Sequence, residues 1–473
     1  MFPTPGYRDP VSPSLDSDVL VVGGGPAGLV TASTVAAGGR RAVVIEREQV
    51  IGRPVHTSGG TTLGTVRSLG VPRELYHPLT AVRFFSRRYE ATFTFAEPPL
   101  CMLDVTGVYQ FLARRAEAAG AEVRTGHHAE SLLRGPGGRI TGCAVRGPGD
   151  EPLAMRAPVV VDAGGYRSAM SREAGLHPGF RRFGVGAEVD LYTPHADGSE
   201  GVVVMDSRYA PAGYAWAVPL GAARLRIGVG VHHPDVRARP AELLRRLLAD
   251  MPRFGVDLTG SEVLDRHFGL IPVEPLPPRL VTDGLLAVGD AAAQATLVIG
   301  EGIRMSAYAG QMAGRTLLAA HLAGRFDAAT LGAYEREFRA RKGRALSLGY
   351  TLNTRIAAYG DDEWDRAVAR LGHVPPQTLA TLVLSEFTPL SLAAAFLRSP
   401  RLWPGLARLV PTMVRTQMRR GRPVPGGDAQ SRPGGGRVAG GAGTKGPTQA
   451  APAAADAHVP PASAGGRREP ERV

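Results

Sequence analysis

Gly23, Gly25 and Gly28 stand in a Gly-x-Gly-x-x-Gly spacing, and Glu46 follows Gly28 by 18 residues. Residues of these types at this spacing bind a dinucleotide. Gly23 permits a tight turn, Gly25 lets the main chain approach a pyrophosphate, and Gly28 lets a helix pack close on a strand. Pro26 and Ala27 open that helix, whose unpaired N–H groups face the phosphates. Glu46 falls where a ribose hydroxyl needs an acceptor. A lone glycine motif means little in a chain with 61 glycines. Here a β-branched run from Asp18 precedes the turn, a helix-like run, Val30 to Ala37, follows it, and Arg41 to Ile45 reads as a second strand with the acid at its tip.

Two later stretches carry the same kind of chemistry. One is Asp162-Ala163-Gly164-Gly165-Tyr166-Arg167-Ser168; the other is Gly289-Asp290-Ala291-Ala292 with Gly300-Glu301-Gly302-Ile303. Both follow strand-like runs, and in an open parallel sheet the carboxyl ends of strands gather around the ligand crevice. Asp290 could accept from a sugar-alcohol hydroxyl, and Gly302 opens a helix whose N-terminus could face a polar ring edge. Arg47 and Arg53 either meet the adenosine or pyrophosphate end or are solvated charges. His56 is either a proton donor or substrate contact, since its loop follows the ribose acid, or a solvated loop residue.

The elements that must position these residues are legible in the hydrophobic pattern. A helix is expected near Thr62 to Leu69, strand-like alternation over Phe84 to Phe95, a helix over Val105 to Ala119, and strands at 121–125, 139–145 and 159–163. Strand-like runs at Val185 to Leu191, Gly201 to Met205, Tyr214 to Pro219 and Arg224 to Val231 have the density of an antiparallel sheet walling a pocket. Helices are expected over 241–250, 302–322 and 329–346. The expected class is α/β: a Rossmann-type domain (parallel sheet, Gly-x-Gly-x-x-Gly), an inserted antiparallel-sheet substrate domain and a C-terminal helical region. The boundaries read as an irregular N-terminus over 1–16, a discontinuous nucleotide-binding domain over 17–65, 100–180 and 268–345, a substrate domain over 66–99 and 181–267, a helical region over 346–418, and a Gly/Pro/Ala/Arg tail over 419–473. That tail has too few large apolar residues to fold.

Taken together, the three glycine stretches resemble the FAD-dependent oxidoreductases of the para-hydroxybenzoate hydroxylase fold. Within that fold, Gly289-Asp290 running on to Gly300-Glu301-Gly302-Ile303 resembles the geranylgeranyl reductase family. Aromatic hydroxylases of the fold usually carry Gly-Asp-Ala-Ala-His; this chain has Ala293 at the histidine. Tyr214-Ala-Trp216-Ala-Val218-Pro219, followed by Gly228-Val-Gly230, resembles the family's Tyr-x-Trp-x-Phe-Pro and Gly-x-Gly. The resemblance implies FAD, held by Gly23, Gly25, Pro26, Ala27, Gly28, Glu46, Arg47, Arg53, Asp162, Gly164, Asp290, Gly300, Gly302 and Ile303. It implies pocket roles for Tyr214 and Trp216, although these can equally be alternating residues on one face of a core strand; His56 joins them as a catalytic candidate on its loop position alone. Four positions depart from the family: Ser58 stands where many members have Cys, Val218 replaces Phe, Leu297 stands where Pro is expected, and Val105-Thr106 replaces an expected Arg.

The implied activity is saturation of C=C bonds in a polyprenyl substrate by hydride from reduced flavin. The electrons come from NAD(P)H or a ferredoxin-like donor, since the one dinucleotide fingerprint serves FAD. A flavin monooxygenase or epoxidase, and a redox-neutral cyclase or isomerase, remain as alternatives on the same fold. The net charge of +12 has no aromatic-interleaved basic patch or helix-turn-helix beside it, so nucleic acid is not expected as a partner. An anionic membrane surface is the better candidate partner for the charge; the basic apolar segment 375–420 reads either as the part that meets it or as a helical cap packed on the pocket. Two cysteines, no apolar leader and no long apolar run fit a cytoplasmic protein with no disulfides, peripheral to a membrane at most. His232-His233 lacks a third ligand, and no metal is expected.

Overall fold

The computed structural model describes residues 17–195 and 198–383. The readings made for 1–16, for 419–473 and for the part of the 375–420 segment beyond 383 lie outside the described residues. Strands Val19–Val22, Ala42–Ile45, Val160–Asp162, Leu285–Ala287 and Glu122–Arg124 are parallel members of a six-stranded sheet. Val281–Thr282 pairs antiparallel at its edge. Val19 to Val21, Val43, Val44, Val160, Val161, Leu285 and Leu286 are buried. Such a sheet is covered on both faces, so its strands are apolar throughout rather than alternating. Register does the positioning. Val22 lies opposite both Ile45 and Asp162, and Asp162 lies opposite Ala287. Four strands therefore end at one level, and the three glycine turns leave from that edge.

A seven-stranded sheet forms the second half. Its order is Glu262–Pro272, Phe183–Tyr192, Arg224–His233, Gly213–Gly221, Glu200–Val204, Ala81–Phe85, Glu90–Thr94. One face packs Ala187, Val189, Leu191, Ala215, Ala217, Ile227 and Val229 against Leu243, Leu244 and Leu247 of the helix Pro240–Asp250. The opposite face carries Glu188, Asp190, Tyr214, Trp216 and Arg226, the alternate positions of the same strands. It meets the parallel-sheet half: Arg226 donates to the Ser58 carbonyl and Tyr214 to the Ile299 carbonyl.

Two small sheets complete the strands. One is Gly60–Thr62, Leu100–Leu103 and Tyr76–Leu79, and the other His128–Arg134, Ile140–Arg146 and Pro152–Arg156. The first helix begins at Pro26 rather than Val30, because Pro at the first helical position has its φ already set. The helix expected to stop at 346 continues: Ala328–Phe338 passes through a π-helical turn, Arg339–Gly343, into Arg344–Ile356. The helix Asp361–Leu371 then covers the sheet edge at Glu90–Thr94. Its Asp365 accepts from Ser86 Oγ at 2.7 Å and Arg88 Nε at 2.6 Å, and Val368 packs with Val82, Phe84 and Phe93. Covering an edge in this way removes a row of unpaired backbone groups. No helix among the described residues is long and apolar enough to cross a membrane.

Candidate active site

The first glycine turn divides its work as the spacing predicts. Gly23 has φ +111°, and a Cβ there would lie 2.3 Å from the Ala163 carbonyl oxygen. A Cβ on Gly28 would lie 2.1 Å from the Gly23 oxygen and 3.1 Å from Val21 Cγ1, so the helix can sit on its strand only without one. A Cβ on Gly25 would meet nothing within 4 Å. That space lies at the N-terminus of helix Pro26–Ala37, which has no side-chain cap. The N–H groups of Ala27 and Gly28 find no acceptor among the described residues. Glu46 takes the Gly24 N–H on Oε2 at 2.8 Å and the Glu48 N–H on Oε1 at 3.0 Å, which fixes its carboxylate at the strand tip beside the turn.

The third stretch is assembled from further away. Gly289 donates to Gln294 Oε1 at 2.8 Å, and Gln294 donates to the Tyr334 hydroxyl at 2.8 Å. His177 Nε2 lies 3.1 Å from the Ala291 carbonyl oxygen. Held in this way, the turn presents Asp290, whose carboxylate accepts no hydrogen bond from the described residues. Burial pushes Asp290 up to about 6. Burial, then the Asp290 charge, pushes the phenol of Tyr109 upward, so it remains a protonated donor beside that acid. Glu301 is buried; it ties its loop to Thr61 Oγ1 at 3.1 Å and to the Arg304 N–H at 2.8 Å. The helix Ile303–Ala323 starts at Gly302 with no side-chain cap. The chain thus offers two uncapped helix starts, an open backbone cradle at Gly25 and an acid without a partner. These fit a dinucleotide that carries a sugar alcohol and a polar ring.

Several expected residues are placed otherwise. Asp162 is fully buried, and its oxygens accept from Gly164 N–H at 3.0 Å and from Ser171 N–H and Oγ at 2.6 Å each. It holds the second turn and offers no free oxygen to the crevice. Gly164 and Gly165 continue from it. Arg47 is exposed and paired with its neighbour Glu48 at 3.0 Å. Arg53 is exposed. His56 is exposed too, with Nδ1 3.0 Å from the Phe268 carbonyl oxygen, so it docks its loop on strand Glu262–Pro272. The structure brings together Gly23 to Gly28, Glu46, Asp290 and Gly302, and leaves Arg47 at the surface.

The wall opposite is aromatic. Tyr214 and Trp216 share a face with ring centroids 5.4 Å apart. Neither keeps a free polar atom: the Tyr214 hydroxyl donates to the Ile299 carbonyl at 2.6 Å, and Trp216 Nε1 donates to Glu188 Oε1 at 3.1 Å. The Gly-x-Gly that follows in sequence has a reason in this geometry. A Cβ on Gly228 would lie 2.6 Å from the indole, and one on Gly230 would lie 3.3 Å from it. Glycines there let the indole lie flat across the neighbouring strand and reach Glu188 beyond it. Behind the indole lies a buried charge network that sequence reasoning missed. His267 Nδ1 is 3.0 Å from Glu188 Oε2, and His267 Nε2 is 3.3 Å from Asp190 Oδ1. Arg226 meets both Asp190 oxygens at 2.7 Å and donates to the Ser58 carbonyl at 2.7 Å. The signal was present as charges at alternate positions inside apolar strands, which must be paired when buried.

This fold and crevice define a class, the FAD-binding oxidoreductases, and residues 16–249 match the family described as "FAD binding domain". The chain is 30% identical over 361 residues to digeranylgeranylglycerophospholipid reductase 2 of Methanothermobacter thermautotrophicus, covering 75% of this chain and 91% of that protein. It is 29% identical over 370 residues to digeranylgeranylglycerophospholipid reductase of Methanocella arvoryzae, again covering 75% and 91%. Among solved structures, a geranylgeranyl bacteriochlorophyll reductase-like protein from Thermoplasma acidophilum superposes with a TM-score of 0.73 at 22% identity. The match spans 83% of this chain and 99% of that one, and shows the fold. The chain belongs to the geranylgeranyl reductase family and is an FAD-dependent oxidoreductase.

Proposed function

We propose that the protein saturates C=C bonds of a polyprenyl lipid of the geranylgeranyl class. Bound FAD, once reduced to FADH2, would supply both hydrogens: a hydride to one alkene carbon and, by way of solvent, the proton it releases to the other. Gly25, Ala27 and Gly28 would hold its pyrophosphate, Glu46 its ribose, Asp290 a sugar-alcohol hydroxyl, and Gly302 with Ile303 its ring edge. Gly300 shapes the turn before that helix, and Asp162 supports the site from beneath.

One observation carries the substrate reading. The wall facing the crevice shows two aromatic rings whose polar atoms are all engaged by Ile299 and Glu188. A surface of this kind offers π-faces to alkene and methyl groups and no hydrogen bond to a polar substrate. Tyr214 and Trp216 therefore seat the alkene and keep water out rather than donate protons. His56 stays with its loop. The electrons enter from an external NAD(P)H or ferredoxin-like donor.

The test is anaerobic incubation of dithionite-reduced holoenzyme with digeranylgeranyl glycerophospholipid and shorter polyprenyl lipids, read by mass. Gains of two hydrogens per double bond with flavin reoxidation are expected. Flavin that stays reduced with every lipid overturns the reading, as does stoichiometric oxygen uptake with an oxygenated product in air.

A further inference from the structure

Glu188, Asp190, Arg226 and His267 come from three adjacent strands and form one connected chain of charge. His267 has a side chain 2% exposed, Arg226 3% and Glu188 6%. Burying four ionisable groups is costly and adds no stability that apolar residues could not supply. Their placement matters more than their number. At one end, Glu188 accepts the Trp216 N–H at 3.1 Å. At the other, Arg226 reaches the main chain of the loop that borders the crevice, 2.7 Å from the Ser58 oxygen and 3.4 Å from the Thr57 oxygen. His267 stands between, each ring nitrogen within ion-pair distance of a carboxylate though neither is aligned for a hydrogen bond. An imidazole can face two carboxylates through both nitrogens favourably only when both carry protons.

We propose that His267 is a positioning residue: as an imidazolium bridging Glu188 and Asp190, it holds the Trp216 wall and the Thr57–Ser58 loop in one register across the crevice. The proposal rests on the reading of that crevice as the flavin and alkene site. The same strands explain why nothing else fills the role. Asp265 and Arg266 flank His267 on its own strand but are exposed, and Asp104 reaches the network only through its charge on Arg226. The groups that face His267 are Glu188 and Asp190 from one neighbouring strand and Arg226 from the next. Burial opposes its charge, and the two carboxylates, Asp190 then Glu188, outweigh burial and hold it up at about 9. The register is therefore kept at neutral pH and released as pH rises through that value.

The test uses holoenzyme labelled with 5-fluorotryptophan. The Trp216 signal in the fluorine spectrum is assigned as the one missing from Trp216→Phe. In the wild type this signal is expected to shift with a midpoint near 9, and in His267→Gln to show no such titration. Flavin reoxidation by the polyprenyl lipid should slow by about 10- to 100-fold in kcat, the scale set by misplaced reacting groups. KM should change little, and the alkaline fall of the wild-type profile should vanish. Glu188→Gln, which keeps an acceptor for the Trp216 N–H and leaves Asp190 and Arg226 paired but removes the charge beside His267, should move the midpoint well below 9 while keeping FAD, and it decides the matter if His267→Gln does not fold. A wild-type Trp216 signal that is flat from pH 7 to 10, or an unchanged titration in either variant, overturns the proposal. If no lipid reoxidises the wild-type flavin, the substrate reading fails, while the fluorine titration still decides the role of His267.

Discussion

The two sides of the crevice are made of different materials. On the parallel-sheet side the site is main chain: two uncapped helix starts, a glycine with open space above it, and strands ending in register. On the antiparallel-sheet side it is side chain: two ring faces backed by a buried ion network. A main-chain site depends on the absence of single carbon atoms and is indifferent to its neighbours' charges. A side-chain site tolerates small changes of shape but depends on every ionisation state behind it. The difference suits the roles proposed: a cofactor cradle of one shape, and a wall that can be varied for different lipids.

The sharpest way to break this comparison is to remove one charge. Arg226→Ala leaves Asp190 facing only His267 in a buried site. Breaking a buried pair by removing one partner costs about 3–5 kcal/mol, and urea denaturation should show a loss of that size. A loss under about 1 kcal/mol would mean that the network behaves as a solvated one, and the contrast between the two sides would fail.

The exception on the parallel side is Asp290, whose carboxylate accepts no hydrogen bond from the described residues. With Asp290 up at about 6 in the folded chain, the carboxyl favours its neutral form. In FAD-free protein its contribution is fully present below its unfolded value near 4 and is lost as pH rises through 6. The size is up to about 3 kcal/mol. A hydroxyl donating to the carboxylate favours the charged form, so FAD affinity should rise between pH 5 and 7. Asp290→Asn should flatten both profiles and weaken FAD. Denaturation and flavin-fluorescence titrations across that range check the pair of signs.

A third measurement compares two glycines three residues apart. Gly28→Ala places a Cβ 2.1 Å from the Gly23 oxygen, and overpacking of this kind costs about 1–3 kcal/mol. Gly25→Ala meets nothing within 4 Å, so the melting temperature of the FAD-free protein should stay in place while FAD affinity falls. Equal effects on stability would show that the Gly25 space is structural rather than a cradle.

How far each side was legible follows from the same contrast. The turn at Gly23 to Gly28, its strands and the acid Glu46 lie within 30 residues, and local spacing reports main-chain geometry. The wall was legible only as far as Tyr214 and Trp216, two residues apart on one strand. Glu188, Arg226 and His267 come from three strands, and their pairing depends on register: His267 opposite Glu188, and Arg226 opposite Asp190. No spacing along the chain encodes that register. The apolar alternation of these strands announced a face, but it did not say that the charges on that face would find one another. Asp162 shows a related limit. An acid at a strand end before glycines looks like a ligand contact, and only the fold shows Ser171, nine residues on, taking up its oxygen.

The smallest effect tests whether the two sides are joined. Tyr214 belongs to the wall, yet its hydroxyl holds the Ile299 carbonyl at 2.6 Å, in the loop just before Gly300. Asn353 holds the Leu297 carbonyl of the same loop at 2.7 Å from the other direction. Tyr214→Phe keeps the ring and removes one bond, so stability should fall by about 1 kcal/mol. If the wall only seats substrate, nothing else should change. If it also sets the start of the helix at Gly302, amide exchange in residues 297–303 should quicken and FAD should bind more weakly, although Tyr214 is not among the residues assigned to hold it. Asn353→Ala, which loosens the loop from the side away from the wall, separates the two. Faster exchange in both variants, with lipid KM raised in Tyr214→Phe alone, is the outcome expected of a hydroxyl that couples the aromatic wall to the cofactor's helix.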